Sequence, residues 1–284
     1  MAILLESSNL PKQTSLILGF FDGVHAGHRA VIKNTLTERK TLVTFSSSPA
    51  EYFKKDFLYI YPRKYNYNLI ESLGVEYIYE QDFSKIANLS AEEYLKKLIK
   101  DFSPISITTG FNHTFGFNRV GNPEFLSQKQ SSFTYCCTPP TKFYNEIVSS
   151  SKIKKLLIAG KIEKANKFLT QNFTLESTVI NGAKLGRKLG FPTANLNYPE
   201  KIIKIPFGVY KVKVLGLPAV MNWGEKPTIG AKEVLEVHIP NFNENLYNKK
   251  LQIEILSKIR DEKKFNNLEE LKNQINKDVE ECLK

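Results

Sequence analysis

The hydrophobic pattern of this chain changes partway along, and no single layer architecture satisfies both patterns. In the first half, apolar runs such as SLILGF (15–20), TLVTF (41–45), VEYIYE (75–80) and ISITTG (105–110) alternate with amphipathic stretches at 26–38, 66–74 and 90–102. Buried runs separated by helical periodicity are the pattern of βαβ units, so an open α/β domain with a parallel sheet is expected. Further on, TLESTVING, FGVYKVKVLG, LPAVMNWG, VLEVHIP and LQIEILSKIR are short, β-branched and alternating, and are bounded by Gly, Pro or Asn. Such segments read as an antiparallel barrel or sandwich. The segment between them, residues 149–169, offers Ser149 to Ser151 as a helix N-cap, Ile153, Leu156 and Leu157 as one apolar face, and Gly160 as a stop. The expected division is therefore 1–157 and 158–284, and a length of 284 residues suits two domains.

A single helix is expected to close the chain, with Asn267 and Glu270 in capping-box spacing and Leu268, Leu271, Ile275, Val279 and Cys282 on its apolar face. No run reaches the ~20 apolar residues of a membrane span, and the first ten residues lack the features of a signal peptide. A cytoplasmic protein is expected, and Cys136, Cys137 and Cys282, without CxxC spacing, are expected to be free thiols. The formal charge of +11 is spread over scattered lysines rather than a block. That distribution suits a solvated surface and small anionic substrates better than a nucleic-acid interface.

Residues 19–28, GFFDGVHAGH, place two histidines where a strand turns into a helix. A helix N-terminus offers free N–H groups and the positive end of its dipole to a phosphate. His25 and His28 are candidate catalytic groups that donate to phosphate oxygens. Gly19, Asp22, Gly23 and Gly27 are candidate ATP-binding positions, with Gly27 expected to let the nucleotide approach the backbone. The implied chemistry is nucleotidyl transfer, in which a phosphate attacks the α-phosphorus of ATP. The loop at 110–122, with Asn112, and the segment at 149–154, with Ser150 and Lys152, support the site; taken alone, the latter reads equally as a structural cap.

The second constellation is INGAKLGRKLGFPTANL (180–196). Gly182, Gly186 and Gly190 free the backbone to wrap an anion, Lys184 and Arg187 supply charge, and Pro192 stiffens the turn. Thr193 and Asn195 place two neutral oxygens on one side of an extended segment, which suits magnesium shared with ATP. A carboxylate must accept the proton of the attacking hydroxyl, and Glu236, alternating with Leu235 and Val237, is the candidate; an exposed strand glutamate is the competing reading.

With these residues in hand, the chain resembles the bacterial bifunctional riboflavin kinase/FMN adenylyltransferases. The resemblance runs in order through FDGVHAGH, GFNHTFGFNRVGN, SSSKIK, GRKLGFPTANL, FGVY, KPTIG, LEVHI and KIRDEKKFNNLEELKNQI. It implies a Rossmann-like nucleotidyltransferase module followed by a six-stranded antiparallel barrel with a terminal helix. It further implies ATP phosphates on His25 and His28, Asn112 and Ser150 at phosphate, and magnesium with ATP on Thr193 and Asn195. Glu236 would be the base on the ribityl hydroxyl, and Asn222, Thr228 and Arg260 would lie on the flavin side. The implied partners are riboflavin, FMN and ATP, without nucleic acid or membrane, in a monomer or weak homo-oligomer.

The sequence departs from the family pattern at several places. Phe20 replaces an Asn, Ser48 a His, His113 a Phe, and Lys152 and Lys154 two arginines, while Trp223 and Asn248 replace Ile and Gly. The last two are expected to touch the flavin side. A riboflavin kinase with a weakened adenylyltransferase module is the alternative enzyme reading, and a flavin-responsive nucleic-acid-binding regulator is the reading from another class.

Overall fold

The computed structural model describes the chain except for Met1, Ser7 and residues 37–38, 54–55, 131, 182–185, 187–189 and 227–231. The chain separates into two compact units, Met1–Ser150 and Ser151–Lys284. The division falls near the start of the helix at 150–158 rather than after residue 157.

In the first unit, β1 (Ile3–Leu5), β2 (Ser15–Leu18), β3 (Lys40–Phe45), β4 (Tyr77–Gln81), β5 (Ser106–Gly110) and β6 (Thr134–Thr138) form one parallel sheet in the order β1-β4-β3-β2-β5-β6. Its helices are α1 (Ala26–Lys33), α2 (Pro49–Tyr52), α3 (Arg63–Ser72), α4 (Phe83–Ile86), α5 (Ala91–Phe102) and α6 (Pro123–Gln128). All four residues of β2 are buried, as expected of a strand covered on both faces. Leu16 and Leu18 pack with Tyr94, Leu95 and Leu98 of α5. Ile17, pointing the other way, packs with Val31 and Ile32 of α1 and Ile70 of α3. Helix α1 is shorter than the expected 26–38: Asn34 N still makes the helical bond to Ala30 O at 2.9 Å, but Thr35 N turns to Ile32 O at 3.3 Å and the helix ends at Lys33. β1 and β6 escaped the sequence reading, the first being only three residues long and the second carrying an alternation too weak to stand out.

The chain leaves β2 on one side, through β3 and β4, and returns on its other side at β5. Ligands of open α/β sheets bind above the carboxyl ends of the strands at such a reversal. The GFFDGVHAGH turn follows β2 and the GFNHTFG loop follows β5, so both open onto that crevice. A hairpin, β7 (Lys142–Phe143) and β8 (Glu146–Ile147), precedes α7 (Ser150–Ile158), whose apolar face is Ile153, Leu156 and Leu157, as expected.

In the second unit, α8 (Ile162–Leu169) leads into β9 (Phe173–Ile180), β10 (Ala194–Leu196), β11 (Gly208–Val214), β12 (Leu217–Lys226), β13 (Lys232–His238) and β14 (Lys250–Arg260). These close an antiparallel barrel in the order β10-β13-β12-β11-β14-β9. Alternate residues fill it, among them Val212, Val214, Met221, Trp223, Leu235, Val237, Ile253 and Ile255. The terminal helix α9 (Leu268–Leu283) is capped by Asn267, whose Oδ1 accepts from Glu270 N at 2.8 Å. Val279 and Cys282 pack on Val209, Val220 and Ile259, whereas Leu268, the first residue of the expected stripe, is 61% exposed.

Candidate active sites

The turn after β2 has a backbone that few sequences tolerate. Phe21 (φ 57°), Gly23 (φ 88°) and the β-branched Val24 (φ 41°) all occupy positive φ. Asp22 Oδ1 accepts from Ile60 N at 2.9 Å, Gly23 N donates to Asn66 Oδ1 at 3.3 Å, and Ser150 Oγ donates to Asp22 O at 2.8 Å. A Cβ on Gly19 would sit 2.6 Å from the Phe21 ring, so that ring can fold back only over a glycine. The sequence therefore brings Gly19, Asp22, Gly23 and Ser150 together in one clasp.

His25 is the N-cap of α1, and its Nδ1 accepts from His28 N at 3.3 Å. In the neutral ring this bond leaves the proton on Nε2, a donor. The two imidazoles stack with centroids 3.6 Å apart, and Phe21 lies 4.6 Å from the His28 ring. A Cβ on Gly27 would come within 3.2 Å of the His25 ring, so the immediate role of this glycine is to let the imidazoles stack. Burial lowers His25 to about 4; burial, and then the neighbouring His25, holds His28 well below the ordinary imidazole range. Nδ1 of His28 is buried without a hydrogen-bond partner. The helix N-terminus thus carries two neutral imidazoles, able to donate to a phosphate through N–H groups without carrying charge of their own.

On the β5 side, Asn112 is exposed just beyond the strand, and His113 N donates to Gly110 O at 3.1 Å. The His113 ring stacks on Phe115 at 5.8 Å; burial lowers it to about 4, and its Nε2 has no hydrogen-bond partner. On the β3 side, Ser48 caps α2 in a full capping box with Glu51. Its N–H donates to both Glu51 Oε2 and the Tyr59 hydroxyl at 3.2 Å, and Tyr59 donates to Glu51 at 2.7 Å. Lys152 lies on α7, in the second unit.

In the barrel, Arg260, Val209, Asn222, Glu236, Asn195 and Ile180 are successive register partners across β14, β11, β12, β13, β10 and β9. Directly opposed residues of antiparallel strands share a face. Leu235 and Val237 are buried in the barrel, so Glu236 and its row lie on the outer surface. Asn195, Glu236 and Asn222 therefore stand side by side, about 4.5–5.5 Å apart at Cα. Arg260 lies further along, its guanidinium bidentate on the buried Asp278 of α9 at 2.8–3.1 Å, with Gln274 Nε2 donating to the same carboxylate at 3.0 Å.

A cavity of about 370 Å³ opens at one end of the barrel, lined by Val179, Pro192, Thr193, Phe242, Asn245 and Tyr247 among others. Thr193 is thus at the cavity, two residues before Asn195 in the outer row. His238 Nδ1 donates to Pro192 O at 2.8 Å, and Phe191 packs edge-on to the His238 ring at 5.6 Å, which fastens this segment to β13. Phe191 N donates to Gly186 O at 2.8 Å, and any Cβ on Gly186 would collide with the carbonyl oxygen of Phe191. Gly190 (φ 91°) takes the left-handed conformation immediately before Phe191. Gly182, Lys184, Arg187 and Thr228 lie outside the described residues.

Two of the departures have clear local roles in the barrel unit. Trp223 points into the barrel, where its Nε1 donates to Ile205 O at 3.1 Å and its ring meets Tyr198 at 4.5 Å. Asn248 holds φ 62°, a left-handed turn position that asparagine tolerates in place of glycine. The sequence reading missed the cavity-lining loop 242–247 and Asp278. The first reads only as a run of turn-forming residues, and the second sits on what looks like the polar face of a helix.

A parallel sheet with a histidine-capped helix at its reversal point, followed by a closed antiparallel barrel, defines a two-module nucleotide-handling enzyme. The FAD synthetase family model matches residues 7–152, and the riboflavin kinase model matches residues 169–284. A bifunctional riboflavin kinase/FMN adenylyltransferase of Bacillus subtilis is 35% identical over 95% of this chain and 91% of its own length. The one from Buchnera aphidicola subsp. Schizaphis graminum is 34% identical over 99% of this chain and 97% of its own. A solved structure described as a macrolide-efflux protein from Streptococcus pneumoniae superposes with a TM-score of 0.90 at 28% identity, covering 98% of this chain and 97% of that one. Among the described residues here, no helix is long and apolar enough to cross a membrane. The chain belongs to the bifunctional riboflavin kinase/FMN adenylyltransferase family.

Proposed function

We propose that the chain carries out two successive transfers from ATP, phosphorylating riboflavin to FMN in the barrel unit and adenylylating FMN to FAD in the α/β unit. The observation that carries this reading is the tandem match of the two family models, one on each compact unit. A match to the FAD synthetase model over residues 7–152 does not favour the alternative of a kinase with an idle first module.

In the barrel, the Glu236 carboxylate takes the proton of the ribityl 5′-hydroxyl as that oxygen attacks the γ-phosphorus of ATP and ADP leaves. Asn222 and Asn195, on either side of it in the row, orient the hydroxyl and the phosphate. The cavity beside Thr193 receives the nucleotide, and Gly186, Gly190 and Pro192, the last held by His238, meet its phosphates. In the α/β unit, an FMN phosphate oxygen attacks the α-phosphorus of ATP and pyrophosphate leaves. His25 and His28 donate N–H bonds to the phosphate oxygens on which charge builds up, at the positive end of α1. Asn112 and Ser150 approach the same phosphates from β5 and from the clasp.

A divalent metal, magnesium in this reading, would be held by the neutral oxygens of Thr193 and Asn195. That donor set fits an ion which takes few protein ligands besides phosphate. The ATP phosphates would complete the set. When bound, the ion neutralises phosphate charge. The test is chromatography of products from riboflavin, ATP and magnesium. FMN followed by FAD is the expected result; FMN alone would remove the adenylyl-transfer assignment, and neither product would remove both.

A further inference from the structure

Two of the positions at which this sequence departs from its family converge on one residue. Phe20, immediately beyond β2, packs edge-on against Phe57 with ring centroids 5.9 Å apart, and lies 6.1 Å from Tyr59. Phe57 and Tyr59 pack edge-on at 4.9 Å. The Tyr59 hydroxyl is bonded to Ser48 N and to Glu51 Oε2, so the second departure, Ser48, anchors the same ring. The carbonyl of Phe20 accepts from Thr44 Oγ1 of β3 at 3.5 Å, which fixes the cluster on the β3 side of the crevice. Phe20, Phe57 and Tyr59 are all only half-buried.

Helix α2 carries the aromatic surface onward. Tyr52, next to Glu51, meets Phe83 at 5.3 Å, and Phe53 meets both Tyr52 and Phe83, at 5.2 and 5.9 Å. Tyr52 and Phe53 are 44% and 61% exposed. Exposed aromatic surface of this extent is uncommon unless a ligand covers it. Across the crevice, the loop after β5 presents Asn112 beside Phe111, which is 39% exposed, and among the described residues no ring contact joins Phe111 to another aromatic side chain.

We infer that Phe20, Phe57 and Tyr59 form a ring-binding wall that makes Phe20 a specificity-determining residue for the tricyclic flavin of FMN. The inference rests on the adenylyl-transfer reading above. A three-ring system uses a wide aromatic wall more fully than the two-ring adenine does, and the half-exposed rings of Phe20 and Tyr59 offer surface for offset stacking. FMN would then lie with its rings toward β3 and its phosphate toward His25 and His28, leaving the β5 side to ATP.

The experiment uses the full chain and measures FAD formation with FMN and ATP varied separately. Phe20→Asn is expected to raise the KM for FMN about tenfold and leave the KM for ATP within about twofold, a change of the size that aromatic stacking supplies. Phe20→Tyr, which keeps a ring, is expected to restore the FMN KM. Phe20→Leu keeps apolar bulk without a π face and should behave like Phe20→Asn if stacking is the cause. An equal rise in the KM for ATP alone would assign the wall to adenine, and no rise in either would reduce the cluster to packing; each result overturns the inference. Circular dichroism and riboflavin phosphorylation by the same preparations report folding. Should the wild-type chain form no FAD, the underlying reading fails instead. The wall is then tested by FMN fluorescence, whose quenching should be weakened by Phe20→Leu and, if unchanged, overturns the inference.

Discussion

Glu236 and Asn195 are register partners across β13 and β10, and Asn222 is the partner of Glu236 on its other side. An acid flanked by two amides on one face of a sheet can receive a proton while its neighbours orient the donor. Glu236→Gln keeps the size and hydrogen bonding but removes the proton acceptor. Its riboflavin phosphorylation should fall by ~10²–10⁴, the usual cost of losing a general base. Conversion of supplied FMN to FAD should remain at the wild-type rate, as read by product chromatography. Loss of both activities in a folded protein would contradict two separate sites.

The stacked imidazoles make the reciprocal prediction. His28→Ala removes one of the two rings at the start of α1 and should slow FAD formation by about 10²-fold or more, as loss of one charge-stabilising donor does elsewhere. FMN should accumulate from riboflavin in single time courses. FAD formation at the wild-type rate would mean that these rings only pack.

Acid should weaken the first unit through its histidines. The folded-state values of His25 and His113 are depressed to about 4 from 6.5, and that of His28 is lowered as well, in each case first by burial. The unfolded chain then binds more protons as pH falls from about 6.5 toward 4, so stability is fully present above this window and is lost through it. His113→Phe replaces a buried ring nitrogen without a partner by an apolar edge against Phe115. It should gain about 1 kcal/mol at neutral pH and flatten the decline of Tm between pH 6.5 and 4. An unchanged pH profile would show that His113 is not one of the titrating groups.

The closing helix should depend on one ion pair. Asp278→Ala leaves Arg260 without its bidentate partner; with the Arg260 side chain 21% exposed, the cost should be about 1.5–3 kcal/mol, that of hydrogen bonds to a charged group. Thermal unfolding should show the barrel unit melting earlier, while the first unit is unaffected. Asp278→Asn, which keeps one acceptor, should lie in between.

Much of this architecture could be read from the sequence because it rests on periodicity. The continuous apolar run of β2 and the alternation of β11 to β14 follow from which faces are covered. The strand-turn-helix context of His25 and His28 is local and equally legible. Their stacking is not, since it depends on the φ values of Phe21 and Val24, which Asn66, Ile60 and Ser150 hold in place from far along the chain. The assembly of Asn195, Glu236 and Asn222 also escapes a linear reading, because strand register is settled by the pairing of whole strands. Asp278, on α9, was hidden because its partner Arg260 arrives from β14.

The register of β13 makes the barrel's interior a reading frame for its chemistry. Side chains alternate strictly along a strand, so a slip of one residue would turn Glu236 inward among the apolar residues and bring Leu235 or Val237 to the outer row. The buried carboxylate would oppose that slip more strongly than any surface contact could. The group proposed to accept the proton thereby also guards the alignment that exposes it, and a barrel paired out of step would lose its fold and its kinase activity together.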